Sequence, residues 1–478
     1  MYVACVRTPY ALVILAKLHI RLQGTNMSKN IIVIGSGAAG MTAASEAKRV
    51  DPSANVTVIT DDEYIAYSPC VIPWAIEGEA KWEDIVMHDA DYYAKERDIT
   101  VLTKTKVESV SDVDRKVVTS DGKEFIYDSL VIATGSTVFI PPIEGKDQQG
   151  VFQVKTINDG KAIQAALADT QRVVIGGAGV IGLELALGLV NIGKDVTIIE
   201  MMPQVIPRIA DADMAAPIQK YLEDCGVKFI MNAPISKVCG DGKVTGVIAG
   251  KGDDAKEYPC EMVIFATGVR ANLAIPKMLE LDIGQLGAVI TAPTMQAYKR
   301  GRLVNNIFLA GDVVQCQSAI TSGATMSQLG STAVKQGLVA GKNAAGGSAV
   351  FGPVASPWVS AVGKLQIAGT GMSQGLASWY GLKIVEGKAK GLTRARYFPG
   401  GKPLTVKVIA DAVSHRIIGA QIVSEEDVTG RINWLTAAII DGNTAEDFIV
   451  RAENAYCPPT NQVRDVVLAA VDDLITKL

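Results

Sequence analysis

Cys70, in the run Tyr64-Ile-Ala-Tyr-Ser-Pro-Cys-Val-Ile-Pro-Trp74, is the side chain whose surroundings best suit nucleophilic chemistry. Ser68 is a good N-cap and Pro69 suits the first helical position. Cys70 is therefore expected at a helix start, where free N–H groups and the dipole favour thiolate over thiol. A thiolate there would attack sulfur electrophiles. The competing expectation is a buried, inert cysteine behind a proline turn, since free cysteines are mostly core residues. Position weighs toward chemistry: the segment follows one glycine-rich nucleotide-binding pattern and precedes a second.

The first pattern is Gly35-Ser-Gly37-Ala38-Ala39-Gly40, placed directly after the apolar run Ile31–Ile34 and before an apolar-periodic stretch to about Val50. Gly35 would make the tight turn, Gly37 would let backbone approach a pyrophosphate, and Gly40 would let helix and strand pack closely. A second strand is expected over Val56–Thr60. Thr60 takes the place where an acidic residue is usual, which leaves Asp61 as the candidate for a ribose contact. The second pattern sets Gly177, Gly179, Val180 and Gly182 after a strand at Arg172–Ile175, and the strand Val196–Glu200 ends in a carboxylate. Glu200 can accept from ribose hydroxyls and would repel a 2′-phosphate. Met201 and Met202 offer no cation there, so NADH is expected over NADPH. Two such units form an internal repeat. Ala133-Thr134-Gly135 closes the first and Ala266-Thr267-Gly268 the second. Ala310-Gly311-Asp312 follows a further buried strand, so Asp312 can bind a ribityl hydroxyl or simply cap a helix. The next helix, expected from about Ser327 to Ala345 and including Ala333, would aim its N-terminus at an anionic ring edge.

These elements need more than one core. At 478 residues the chain suggests about three lobes. Residues 27–147 and 271–347 read as one nucleotide lobe, 148–270 as the other, and 348–478 as an α+β lobe without a nucleotide signature. Thr105–Ser136 reads as a meander returning to the first sheet, and Pro141–Gly145 as a linker. Hydrophobic content of 48% and charged content of 20% describe a globular protein. A net charge of −4 gives no reason to expect nucleic acid or an anionic membrane as partner. Seven scattered cysteines and three histidines form no paired spacing. They read as reduced cytoplasmic thiols, with no disulfide framework and no metal. In residues 1–26, Tyr10–Leu18 is apolar but short and interrupted by Lys17, so neither a membrane span nor a signal peptide is expected. The segment reads as an upstream mis-start before Met27, or else as an amphipathic tail that docks on a partner.

Together, Gly35-x-Gly37-x-x-Gly40, Tyr127-Asp-x-Leu-Val-Ile-Ala-Thr-Gly135, Gly177-x-Gly-x-x-Gly-x-Glu184, Ala266-Thr-Gly268 and Ala310-Gly-Asp312 resemble the FAD-dependent pyridine-nucleotide disulfide oxidoreductases from about residue 29 onward. The Cys-x-x-Pro of Cys70 to Pro73 and the Tyr-x-Pro-Pro of Tyr456 to Pro459 resemble the single-cysteine branch of coenzyme A-disulfide reductases, NADH oxidases and polysulfide reductases. The resemblance implies an α/β fold of two Rossmann-like domains, for FAD and NAD(H), plus a C-terminal α+β dimerisation domain. It adds Val107 to the FAD contacts, places Glu184 near the nicotinamide, and nominates Tyr456, with Tyr397 as companion, to reach the partner's site in a homodimer. It also implies coenzyme A phosphates near Lys48 and Arg49, which a solvated basic pair at a helix end explains equally well. Cys457 would either pair with Cys70 of the other chain or serve packing.

Departures narrow the expectation. Ile65 stands where two-cysteine members carry their second cysteine, and those members also use a C-terminal His-Glu pair as base, whereas His19, His88 and His415 stand in no such setting. Ala38 stands where peroxidases and water-forming oxidases place a histidine, which argues against peroxide or oxygen as dedicated acceptor. The resemblance thus implies electrons passing from NADH through FAD and Cys70 to a disulfide, persulfide or polysulfide. The alternative is an NAD(H)-linked FAD electron-transfer subunit of a 2-oxoacid or aldehyde oxidoreductase complex, with an iron–sulfur partner and Cys70 a relic. A flavin-bound module without turnover is the third.

Overall fold

The computed structural model describes residues 28–478, so the readings made for residues 1–26 lie outside the described residues. The run Asn30–Ile34 forms the expected strand, with Ile31 and Val33 fully buried. A strand apolar on both faces must be covered on both, and here it sits inside a six-stranded sheet. The order across that sheet is Gln296–Lys299, Arg302–Leu309, Ser129–Ile132, Asn30–Ile34, Asn55–Ile59, Ile99–Leu102. All neighbours pair in parallel except the first two. Helix Ala38–Val50 packs against helix Gly330–Ala344. A Cβ at Gly337 or Gly341 would overlap the carbonyl of Ala39 or Ala43, so glycine is what permits the close crossing.

The second unit repeats this plan. Lys228–Ile230, Asp195–Ile199, Arg172–Gly176, Met262–Phe265 and Val151–Gln153 form a wholly parallel five-stranded sheet. Helices Ile157–Ala166, Val180–Asn191 and Ala212–Asp224 supply its helical layer. The expected meander is a three-stranded antiparallel sheet of Val107–Ser111, Lys116–Thr119 and Glu124–Ile126. The two units are joined by a short antiparallel pair, Ser136–Val138 with Val269–Ala271. There Thr134 Oγ1 donates to the Asn272 carbonyl at 3.1 Å and Thr267 Oγ1 donates to the Phe139 carbonyl. Each Ala-Thr-Gly run therefore pins the strand that crosses between the units.

The third unit is an antiparallel sheet in the order Trp358–Val362, Leu365–Gly371, Ile417–Ser424, Pro403–Asp411, Ile384–Leu392. Helices Thr429–Ile440 and Val466–Ile475 close its core. Among the described residues no helix is long and apolar enough to cross a membrane.

A charged cluster holds the third unit to the second. Lys407 is 3% exposed, with Nζ 2.9 Å from Asp211, 3.0 Å from Glu386 and 3.2 Å from Asp213. Gln421 completes the shell by donating to Asp211 Oδ2 and accepting from the Asp211 N–H. Burial pulls the Lys407 ammonium toward neutrality, but Asp211 and Glu386 outweigh it and hold the group above its ordinary range. Removing one partner would leave an unpaired buried charge, a cost of about 3–5 kcal/mol. Lys407→Met is expected to lower the guanidinium midpoint accordingly, and pairing it with Asp211→Leu to recover part of the loss. An unchanged midpoint for Lys407→Met would show that the cluster does not hold the units together.

Candidate functional site

Both glycine turns share one geometry. Gly35 and Gly177 have φ of +106° and +107°, a left-handed region closed to most side chains. A Cβ on either would strike the carbonyl of Ala133 or Ala266, and one on Gly40 or Gly182 would strike the carbonyl of Gly35 or Gly177. The middle glycines differ. A Cβ on Gly37 or Gly179 meets nothing within 4 Å. Each also N-caps a helix, of 13 and 12 residues, without any side-chain cap. Open space facing uncapped N–H groups fits a pyrophosphate at each turn. Ala38 is exposed at the mouth of the first turn and Val180 half-buried at the second, while Ala39 is buried against Gly311.

The strand ends beside the turns are unlike. Glu200 is 7% exposed, and its two oxygens accept the N–H groups of Ala178 and Met202, each at 2.8 Å. In the first unit Thr60 holds the equivalent place, buried and bonded through its hydroxyl to Ser36 at 3.1 Å. Asp61 is exposed on the following turn. Val107 is half-buried at the start of the meander.

Asp312 sits where three segments converge. Ser136 Oγ donates to its carboxylate at 2.7 Å, Lys155 Nζ donates to Ser136 at 2.9 Å, and Lys155 lies 3.8 Å from Asp312. Next to it, the Gly311 N–H donates to buried Gln336 at 2.8 Å. The following helix begins at Gly330 rather than Ser327, with no side-chain cap at Leu329, and Ala333 is buried in its first turn. Gly135 and Gly268 have φ of +62° and +96° and open space beside them. Ser136, Lys155 and Gln336 were not foreseen. Ser136 directly follows Gly135, which is the one local signal that marked any of them.

The cysteine segment corrects one expectation. Pro69–Val71 is a 3-10 turn whose N-cap, Ser68, makes no side-chain bond, and the short helix Ile72–Glu77 starts only afterwards with Pro73 near its beginning. Two prolines four residues apart, each without an N–H, favour a tight turn and then a new helix over one continuous helix. Cys70 therefore precedes the helix instead of occupying its first turn, and a helix of 6 residues contributes little dipole. The thiol is also not buried: Cys70 and Cys457 are the exposed cysteines among the described residues. Burial pushes Cys260 up to about 12 and Cys316 up to about 11, which leaves those thiols inert at neutral pH. The loop is tied to the first turn by Ala66 N–H donating to the Ser36 carbonyl at 3.4 Å. Alongside it, a cleft of about 680 Å³ runs between Tyr64, Ile65, Trp82, Val86 and Lys161, with Lys161 Nζ donating to the Tyr64 hydroxyl at 2.7 Å.

Glu184, one turn into its helix, accepts the Ser360 hydroxyl at 2.7 Å. Burial pushes its carboxyl up to about 7, and the Ser360 bond opposes that rise. Tyr397 and Tyr456 meet hydroxyl to hydroxyl on the surface, 74% and 40% exposed. The Tyr397 hydroxyl, with a smaller contribution from burial, holds the Tyr456 phenol above its ordinary value. Lys48 and Arg49 are engaged locally. Lys48 donates to the Ala54 carbonyl and pairs with Asp98, and Arg49 pairs with Glu46.

Comparison with known proteins agrees along the chain. The family described as pyridine nucleotide-disulphide oxidoreductase matches residues 29–337, and its dimerisation domain matches residues 359–464. An NADH oxidase of Methanocaldococcus jannaschii is 43% identical over 94% of this chain and 99% of its own. An NAD(P)H coenzyme A polysulfide/persulfide reductase of Pyrococcus horikoshii is 32% identical, over 94% and 99%. Among solved structures, an NAD-dependent persulfide reductase from A. fulgidus superposes with a TM-score of 0.89 at 31% identity, covering 94% of this chain and 83% of that one.

The contrast among the glycines is testable. Compared as flavin-free proteins, Gly37→Ala and Gly179→Ala should keep unfolding midpoints within about 1 kcal/mol of wild type; with cofactor supplied, the first should lose the bound flavin's absorbance and the second bleaching by NADH. Gly40→Ala and Gly182→Ala should instead unfold earlier. Equal losses of stability at all four positions would mean that the middle glycines serve packing.

Proposed function

Since the chain belongs to the pyridine nucleotide-disulphide oxidoreductase family and is an FAD-dependent NAD(P)H oxidoreductase, we propose that its electron acceptor is a disulfide, persulfide or polysulfide engaged by Cys70. The observation that carries this reading is Cys70 itself: an exposed thiol on a loop hydrogen-bonded to the first glycine turn. Relatives spanning nearly the whole chain bear the names NADH oxidase and sulfur or persulfide reductase, which supports a soluble acceptor over an iron–sulfur partner subunit.

On this reading the first turn, through Gly35, Gly37 and Gly40, holds the FAD pyrophosphate, and Asp312 accepts from its ribityl chain. Lys155 and Ser136 keep that carboxylate oriented and charge-balanced. The second turn holds NAD(H), with Glu200 beside the ribose. FAD, when bound, supplies the two-electron relay between NADH and the sulfur acceptor. The Cys70 thiolate attacks one sulfur of R–S–S–R, forms a mixed disulfide and expels RS⁻. Two electrons originating in NADH, with a proton, release the second RSH and return Cys70 to its thiolate. The balance is NADH, H⁺ and RSSR giving NAD⁺ and two RSH. The dimerisation domain at residues 359–464 supports a homodimer in which the exposed Tyr397–Tyr456 pair serves the site of the other copy.

Cys70→Ser should lower NADH-dependent reduction of disulfide or polysulfide by at least about 10³-fold, while the rate of flavin bleaching by NADH stays near wild type. Retained turnover with sulfur acceptors would remove Cys70 from the reaction and leave the acceptor to be reduced by the flavin directly. Glu200→Ala should narrow the preference for NADH over NADPH about tenfold by removing charge from the 2′ position. An unchanged ratio of kcat/KM values would place the ribose elsewhere.

A further inference from the structure

Among the described residues, Glu184 finds its one side-chain hydrogen-bond partner outside its own lobe. Its helix, Val180–Asn191, belongs to the second nucleotide unit, whereas Ser360 lies on the edge strand Trp358–Val362 of the C-terminal sheet. Ser360 is 4% exposed, so its hydroxyl has little solvent to turn to and is committed to Glu184 Oε1.

The other charges on elements packed around this helix are committed elsewhere. Glu77, on helix Ile72–Glu77, accepts from Asn191 at the far end. Asp195 on its strand pairs with Lys228, and Arg172 on the next pairs with Glu261. Glu200 is bonded to backbone N–H groups, and Lys364, just past the Ser360 strand, pairs with Glu425. Among the described residues no cation therefore pairs with Glu184. Burial and the Ser360 hydroxyl are what set its ionisation, the first raising its carboxyl to about 7 and the second restraining it.

We propose that Ser360 is a positioning residue for the nicotinamide: by clamping Oε1 of Glu184 it leaves Oε2 to accept from the carboxamide N–H of NAD(H) bound at the Gly179 turn. This rests on the reading that Glu184 meets the nicotinamide. A donated hydrogen bond stabilises the carboxylate over the carboxylic acid, and only the carboxylate accepts at both oxygens. The C-terminal sheet thereby takes part in binding the reductant, through a residue that neither glycine pattern signals.

The test is the pH profile of NAD⁺ affinity on the FAD-loaded protein, read by titration calorimetry, with flavin bleaching by NADH as the kinetic counterpart. In wild type, affinity should rise with pH through an inflection near 7, as Glu184 ionises. Ser360→Ala should move that inflection upward by about one unit, which lowers the ionised fraction at neutral pH about fivefold. Ser360→Thr should restore the wild-type inflection. Glu184→Gln should flatten the profile, and adding Ser360→Ala to it should change nothing further. If Glu184→Gln flattens the profile but Ser360→Ala leaves the inflection in place with FAD content intact, Ser360 does not act through Glu184 and the proposal falls alone. If Glu184→Gln leaves the profile unaltered, the placement of Glu184 at the nicotinamide falls, and the role of Ser360 with it.

Discussion

Two backbone carbonyls, those of Ala133 and Ala266, impose the constraint on which the active centre depends. Each lies against the first glycine of a turn and leaves no room for a side chain, at a position whose left-handed φ also favours glycine. The third glycines then let helix and turn close up. The outcome is a pair of helix starts whose N–H groups face empty space instead of a capping side chain. A side-chain cap at either end would contribute about 1 kcal/mol. What sets these two starts apart from other uncapped helices such as Ala212–Asp224 and Thr429–Ile440 is the open glycine turn before them, where an anion can complete the N–H groups.

Polar contacts join the lobes at several points. Lys155 of the second unit reaches Ser136 and Asp312 of the first, Ser360 of the third reaches Glu184 of the second, and Lys407 of the third is buried among Asp211, Asp213 and Glu386. Apolar contacts tolerate sliding, whereas short hydrogen bonds between charged and neutral groups fix distance and direction. The arrangement suits an oxidoreductase whose reductant and flavin must stay aligned through the turnover cycle.

Much of this was legible in the residues. Strand, turn and helix at Ile31–Val50 and Arg172–Asn191 follow from apolar runs broken by glycines at fixed spacing, and the antiparallel pair Pro403–Asp411 and Ile417–Ser424 follows from β-branched content. Less legible were features set by three-dimensional neighbours. The helix start misassigned to Ser68 shows a local rule yielding to a second proline downstream, at Pro73. Ser136, Lys155 and Ser360 carry no spacing rule at all, because their partners lie more than a hundred residues away or in another unit. Thr60 shows the reverse case: the missing acid was read correctly from sequence, but not the Ser36 hydroxyl that meets the threonine in its place.

The strand order of the first sheet has a consequence for how the polypeptide is made. Ser129–Ile132 needs Arg302–Leu309 as its neighbour, yet the whole second unit is translated in between. At about 5–20 residues per second, roughly ten to thirty seconds of synthesis separate the two strands on the ribosome. Throughout that interval the nascent chain carries a sheet of buried-type residues with one side unpaired, the condition under which strands recruit foreign partners. Expression yield should therefore respond to chaperone supply and translation speed more than the stability of the finished molecule would suggest.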